Sequence, residues 1–222
     1  METMSADDPF ITEYQLLESY HKKRKSRSIA KPRHPIVLQG WSGKYQQPIV
    51  NRCEQVSAGK RVPASAEAEP EAFAQVADKL THIVDSAPPA QDQVVTDCGV
   101  IQRLVELLKE YGDQVNEKIQ KDKELLSYLQ GLFSYNLFEE LASAFIHSMV
   151  TPGKQREEDI DQKMKIAWTF EMTSRLSALD LQPMNRAMGF GAQYVHQHFA
   201  PWIQQHGGWE NAFKSDEDDE VQ

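Results

Sequence analysis

Apolar positions recur with a helical period from about residue 70 onward and show no such period before it. Phe73, Val76, Ala77, Leu80, Ile83 and Val84 form one stripe with the spacing of a helix that buries a single face. Pro70 stands where a proline suits the first helical turn, and Pro88-Pro89 ends the segment. A long second helix is predicted over residues 93–121, and a short third over 122–130, stopped by Gly131. A fourth covers 133–150, with Leu137, Phe138, Leu141, Phe145 and Met149 apolar, and closes at Thr151-Pro152-Gly153. The fifth, over 157–179, carries Ile160, Met164, Ala167, Trp168, Met172, Leu176 and Leu179. Pro183 separates it from a sixth, over 184–200. That helix is expected to break near Pro201 and to stop at Gly207-Gly208, before a short turn with Trp209 and Phe213 on one face. Nothing in 70–213 alternates with period two, and no internal repeat is visible. The pattern predicts an all-α domain of about seven helices.

Residues 1–69 read differently. Pro and Ser recur, and Ile36, Val37, Leu38 and Trp41 follow no helical period. This segment is expected to be a largely disordered tail, with one or two helical turns around residues 13–20. It holds a basic run, Lys22-Lys23-Arg24-Lys25-Ser26-Arg27-Ser28. Lys22, Lys23, Arg24 and Lys25 suit a weak peripheral contact with anionic lipid or a nuclear-entry signal, and Ser26 and Ser28 have the basic neighbours of a phosphorylation site. The chain closes, over 214–222, in an acidic segment expected to be disordered.

Composition narrows the classes. Lys+Arg 24 against Asp+Glu 33 gives a formal charge of −9 over 222 residues, against a general nucleic-acid surface. Two cysteines, Cys53 and Cys98, exclude a disulfide scaffold and fit a reducing compartment. No stretch approaches the ~20 apolar residues of a membrane span, and METMSADDPF lacks a secretory apolar core. The expectation is a cytosolic protein without a transmembrane anchor.

Two motifs carry functional information. Ala200-Pro201-Trp202-Ile203-Gln204-Gln205-His206-Gly207-Gly208-Trp209-Glu210-Asn211-Ala212-Phe213 sets two tryptophans, a proline and a glycine pair in one corner. On the second helix Leu104, Leu108, Tyr111 and Val115 recur at i, i+4, i+7 and i+11 as a ridge of four anchors, with Gly112-Asp113 beside it. An amphipathic core helix is the ordinary explanation of such a ridge. Together, however, the aromatic corner resembles the second homology segment of the Bcl-2 family, and Leu108-Lys109-Glu110-Tyr111-Gly112-Asp113-Gln114-Val115-Asn116 is similar to its third. The likeness to one branch of that family extends through Val105-Glu106-Leu107, Lys121-Asp122-Lys123, Pro183-Met184-Asn185-Arg186 and Gly189-Phe190-Gly191, and covers about residues 70–213.

The resemblance implies a helical bundle around a buried hydrophobic hairpin, and a pro-apoptotic role exercised through protein contacts with survival-promoting relatives. Leu104, Leu108, Tyr111 and Val115 would fill groove pockets, Gly112 would allow close approach and Asp113 would pair with an arginine across the groove. Pro201, Trp202, Ile203, Gly207, Gly208, Trp209 and Phe213 would close a groove end or fasten the bundle. Survival-promoting members carry Asn-Trp-Gly-Arg at the start of the central helix. Residues 157–163 here read Glu-Glu-Asp-Ile-Asp-Gln-Lys, which puts a receptor groove in this chain in doubt. Lys163 and Lys165 are the nearby cations, without an arginine's fork. Lys163, Lys165, Glu171 and Arg175 also weigh against insertion of that helix into a bilayer. The alternative is a cytoplasmic adaptor with the same fold but other partners.

No catalytic spacing stands out. His196 and His198 face different sides of one helix, so a metal site with His206 is not expected. Gly189-Phe190-Gly191 follows no strand and fits close helix packing better than a phosphate loop. The chain is expected to be neither an enzyme nor a cofactor carrier.

Overall fold

The computed structural model of the chain describes residues 9–30, 71–87, 99–110, 114–150, 158–179, 181 and 186–214. Among these, every element is helical: α1 (Ile11–Ala30), α2 (Glu71–Ser86), α3 (Gly99–Lys109), α4 (Gln114–Lys121), α5 (Lys123–Leu132), α6 (Tyr135–Met149), α7 (Glu158–Ser177), α8 (Ala187–Gln205) and α9 (Trp209–Ala212).

α7 is the axis of the bundle, and α1, α2, α3, α6 and α8 pack around it. Burial runs unbroken from Ile166 to Ser174, which explains why the helix has no polar face. Its two buried threonine hydroxyls are satisfied within the helix: Thr169 Oγ1 donates to the Lys165 carbonyl and Thr173 Oγ1 to that of Thr169, each at 2.8 Å. α8 packs tightly on α7 at Gly191, where an added Cβ would lie 2.5 Å from Thr173 Cγ2. Gly189 meets no such neighbour.

Local capping sets the helix boundaries. Asp122 accepts from the Leu125 amide at 3.0 Å and starts α5. Ser134 accepts from the Leu137 amide and starts α6. Both caps satisfy an otherwise orphaned amide.

Three expectations are corrected. The N-terminal segment contains a 20-residue helix, α1, which docks on α2, α7 and α8. Glu13, Leu16, Leu17 and Tyr20 are buried along it; the stripe is short and one member is a carboxylate, so its period is hard to see. Secondly, Lys23 and Arg24 of the basic run are engaged inside the fold. Lys23 pairs with Asp78 at 2.5 Å, and Arg24 with Asp85 at 2.7 Å and Glu171 at 2.6 Å, so neither presents a plain cation to a membrane. Thirdly, α8 does not break at Pro201 but continues to Gln205. Pro201 lies on the exposed side, one turn after the exposed Gln197, so the hydrogen bond that proline removes is lost where water replaces it. Residues 31–69, with the rest of the expected tail, and the acidic end over 215–222 lie outside the described residues, as do Cys53 and Cys98.

Candidate partner-binding site

The predicted second helix is two helices. α3 runs Gly99–Lys109 and α4 runs Gln114–Lys121; Tyr111, Gly112 and Asp113, between them, lie outside the described residues. Of the anchors, Leu104 and Leu108 sit on α3 and Val115 on α4. All three are buried, Leu108 with 1% of its surface exposed. Ile101, Leu104, Val105 and Leu108 form the face that α3 turns toward α6 and α7. The opposite face carries Gln102, Arg103 and Glu106, exposed to water.

The C-terminal end of α3 is closed by a side chain from α7. Arg175 Nη1 donates to the carbonyl oxygen of Leu108, and also to that of Lys109 at 3.3 Å. Those carbonyls belong to the last turn, where a helix has no amides of its own to offer, and a cation there also complements the helix dipole. Arg175 is aimed by Glu171, one turn earlier, whose Oε1 accepts from Arg175 Nε at 2.8 Å. Glu171 is 1% exposed. Its Oε2 accepts from the Tyr20 hydroxyl and from Arg24 Nε, both at 2.6 Å. Such a carboxylate is tolerable in a core only because every oxygen is met by donors. Burial opposes the Arg24 charge, but Glu171, Tyr20 and Asp85 outweigh it and hold its pKa above the ordinary value. Beside this network, a cavity of about 420 Å³ is bordered by His21, Arg24, Leu108, Val115, Glu171 and Arg175, among others.

The aromatic corner is a fastening. Gly207 and Gly208 adopt φ of 77° and 92°, a region that side chains other than glycine's resist. The Gly208 amide reaches back to the Ile203 carbonyl at 2.9 Å, and the chain reverses. Trp209 then stacks on Phe213 (5.9 Å, 12° between planes) and meets Phe170 of α7 edge-on at 5.8 Å. Ile203, Trp209 and Phe213 are buried, Trp202 is half-buried and Pro201 is exposed. The Trp202 indole donates to Asp159 Oδ1 at 3.1 Å, and His206 stacks on Trp202 at 4.2 Å. The corner is thereby tied to the start of α7, where Lys165 is paired with Asp161 at 2.6 Å.

The chain is 36% identical over 141 residues to apoptosis facilitator Bcl-2-like protein 14 of Rattus norvegicus, covering 62% of this chain and 43% of that protein. The Homo sapiens protein of that name is 40% identical over 111 residues, 50% of this chain and 33% of its own length. Bcl-2-like protein 12 of Homo sapiens is 30% identical over 157 residues, 64% of this chain and 60% of that protein. The chain is thus similar to Bcl-2-like proteins over about half to two thirds of its length. It spans less than half the length of these Bcl-2-like protein 14 relatives. No family model matches it, and no solved structure does.

The all-α Bcl-2-like bundle read from the sequence is the fold observed. The structure buries Leu104, Leu108 and Val115 in the core, with Leu108 and Val115 bordering the same cavity. Sequence reasoning missed the Tyr20–Arg24–Glu171–Arg175 network. Its one visible signal was Glu171 and Arg175 at i, i+4 in the more apolar second half of that helix. No group of metal-binding side chains occurs among the described residues, and no described helix is long and apolar enough to cross a membrane.

Proposed function

We propose that this chain is a non-enzymatic, pro-apoptotic regulator of apoptosis. It acts in the cytosol by presenting Leu104, Leu108, Tyr111, Asp113 and Val115 to the groove of a survival-promoting Bcl-2 relative. The observation that carries the proposal is the apolar face of α3 in a chain related to proteins named apoptosis facilitators. The folded bundle sets the condition. Ile101, Leu104, Val105 and Leu108 are each worth about 1.5–3 kcal/mol when buried. Lifting α3 out whole therefore costs an amount of the order of a domain's entire stability, about 5–15 kcal/mol. The binding form is an opened minority state, and its scarcity lowers the apparent affinity in proportion.

The burial of Leu108 favours a second reading, a cytoplasmic adaptor with the same fold whose partners use the bundle's outer surface. A peptide spanning residues 102–118 separates the two. Titrated against a survival-promoting relative, it binds under the first reading, and Leu108→Glu abolishes the binding. A peptide that does not bind removes the donor mechanism and leaves the adaptor.

A further inference from the structure

The cavity beside Glu171 has polar walls that the Glu171 network does not use. Asn116 of α4 and Ser177 of α7 border it. Asn116 Oδ1 and Ser177 Oγ are buried, with no hydrogen-bond partner among the described residues. Ser177 does not donate to the carbonyl four residues back, as Thr169 and Thr173 do. Lys25 of α1, half-buried, borders the same space. We propose that this cavity binds a small organic monocarboxylate, its head held by Lys25, Asn116 and Ser177 and its apolar body lying against Leu108, Val115 and Leu179.

The charges set the class. The lining holds Arg24, Lys25 and Arg175 against Glu110 and Glu171. Glu171 is met by Tyr20, Arg24 and Arg175, and Glu110 by Lys118. Arg24 and Arg175 are held in turn by carboxylates and by the α3 carbonyls, so neither is recruited. Lys25 has no carboxylate partner among the described residues. One such cation suits one negative charge, whereas a phosphate monoester would bring nearly two. The Lys25 ammonium has three donors that turn to suit an oxygen, and the Ser177 hydroxyl adds another. Turning the Asn116 amide about its last torsion puts an N–H where Oδ1 lies. Buried polar groups left unmatched are costly, so a ligand that meets them gains affinity. Leu108, Val115 and Leu179 make the remaining wall apolar, and about 420 Å³ lies within the usual size of small-molecule sites, about 300–1,000 Å³. The site requires only the folded bundle, so it holds whether or not α3 ever meets a partner.

Octanoate titrated into the full chain and followed by amide NMR tests it, with 1-octanol as the uncharged control. Octanoate should give saturable shifts at residues 115–116 and 174–179. It should bind about tenfold more tightly than 1-octanol, the worth of a charge-assisted hydrogen bond. Lys25→Gln should remove that preference and leave the spectrum of a folded chain. Ala178→Phe, at an exposed residue of the lining, should block the cavity and abolish binding of both probes. Absence of saturable octanoate shifts overturns the site, as do shifts spread evenly over every helix. So does 1-octanol binding as tightly as octanoate, or an octanoate affinity unchanged in either variant.

Discussion

Arg175 closes the C-terminal end of α3 by donating to the carbonyl oxygen of Leu108. This buried anchor of the candidate binding face is thus held twice, by its side chain in the core and by its backbone through a cation from α7. That cation is aimed by Glu171, so the stability of the bundle and the accessibility of α3 depend on the same few groups.

Glu171 should be the most sensitive polar position. Glu171→Ala leaves the Arg24 and Arg175 guanidiniums without their shared carboxylate, and breaking a buried pair costs about 3–5 kcal/mol. Lys121→Ala removes a pair whose members are 79% and 70% exposed, and should cost less than about 1 kcal/mol. Denaturant midpoints at equal m-value measure both. Similar small losses in the two variants would contradict the role given to Glu171.

The two glycines of Gly189-Phe190-Gly191 should behave oppositely. Gly191→Ala forces a methyl into Thr173 and is expected to destabilise by about 1–3 kcal/mol. Gly189→Ala meets open space within a helix and should be neutral or stabilising by up to about 1 kcal/mol. Thermal or urea unfolding of the two variants checks the contrast.

Gly208→Ala should cost about 1–3 kcal/mol, because φ of 92° is a conformation nearly reserved for glycine. The Trp209–Phe213 stack would shift with it, so the tryptophan fluorescence maximum should move to the red as Trp209 gains water.

Stability should plateau between about pH 6.5 and pH 10 and fall on both sides. Burial first, then the charge of Glu171, raises the Tyr20 hydroxyl well above its ordinary value. Tyr135 is pushed up to about 12 by burial, Glu139 and Tyr194. The folded state holds these protons more tightly than the unfolded chain does. Their contribution is complete below the unfolded value near 10 and is lost as pH rises through the folded values. His21 runs the other way: burial, then Lys25, lowers its pKa. Its contribution is complete above about pH 6.5 and is lost as pH falls through the lowered value. Tyr135→Phe should flatten part of the alkaline limb and His21→Gln the first part of the acid limb; limbs unaltered by either change would contradict the assignment.

The sequence pattern made α2 and α5 to α8 legible because their apolar stripes, caps and glycine stops agree with one another. α1 escaped it. Its buried face mixes Leu16, Leu17 and Tyr20 with Glu13, and the charge run that follows looks solvated until its partners Asp78, Asp85 and Glu171 arrive from 50 or more residues away. Pro201 was misread because a missing amide on an exposed helix face costs less than one in the core. The anchors of α3 were legible as a ridge, but no pattern tells whether a ridge faces a partner or the chain's own core. The Arg175 cap was invisible for the same reason: it joins residues 66 and 67 positions apart.

The most direct test is to titrate one survival-promoting Bcl-2 relative with the full chain and, separately, with the peptide of residues 102–118. If α3 is the binding element and the bundle conceals it, the peptide binds at least about a hundredfold more tightly, since opening must be drawn from the binding energy. Equal affinity would show that the buried face of α3 is not what the relative recognises, and binding by the full chain alone would place the contact elsewhere on the bundle.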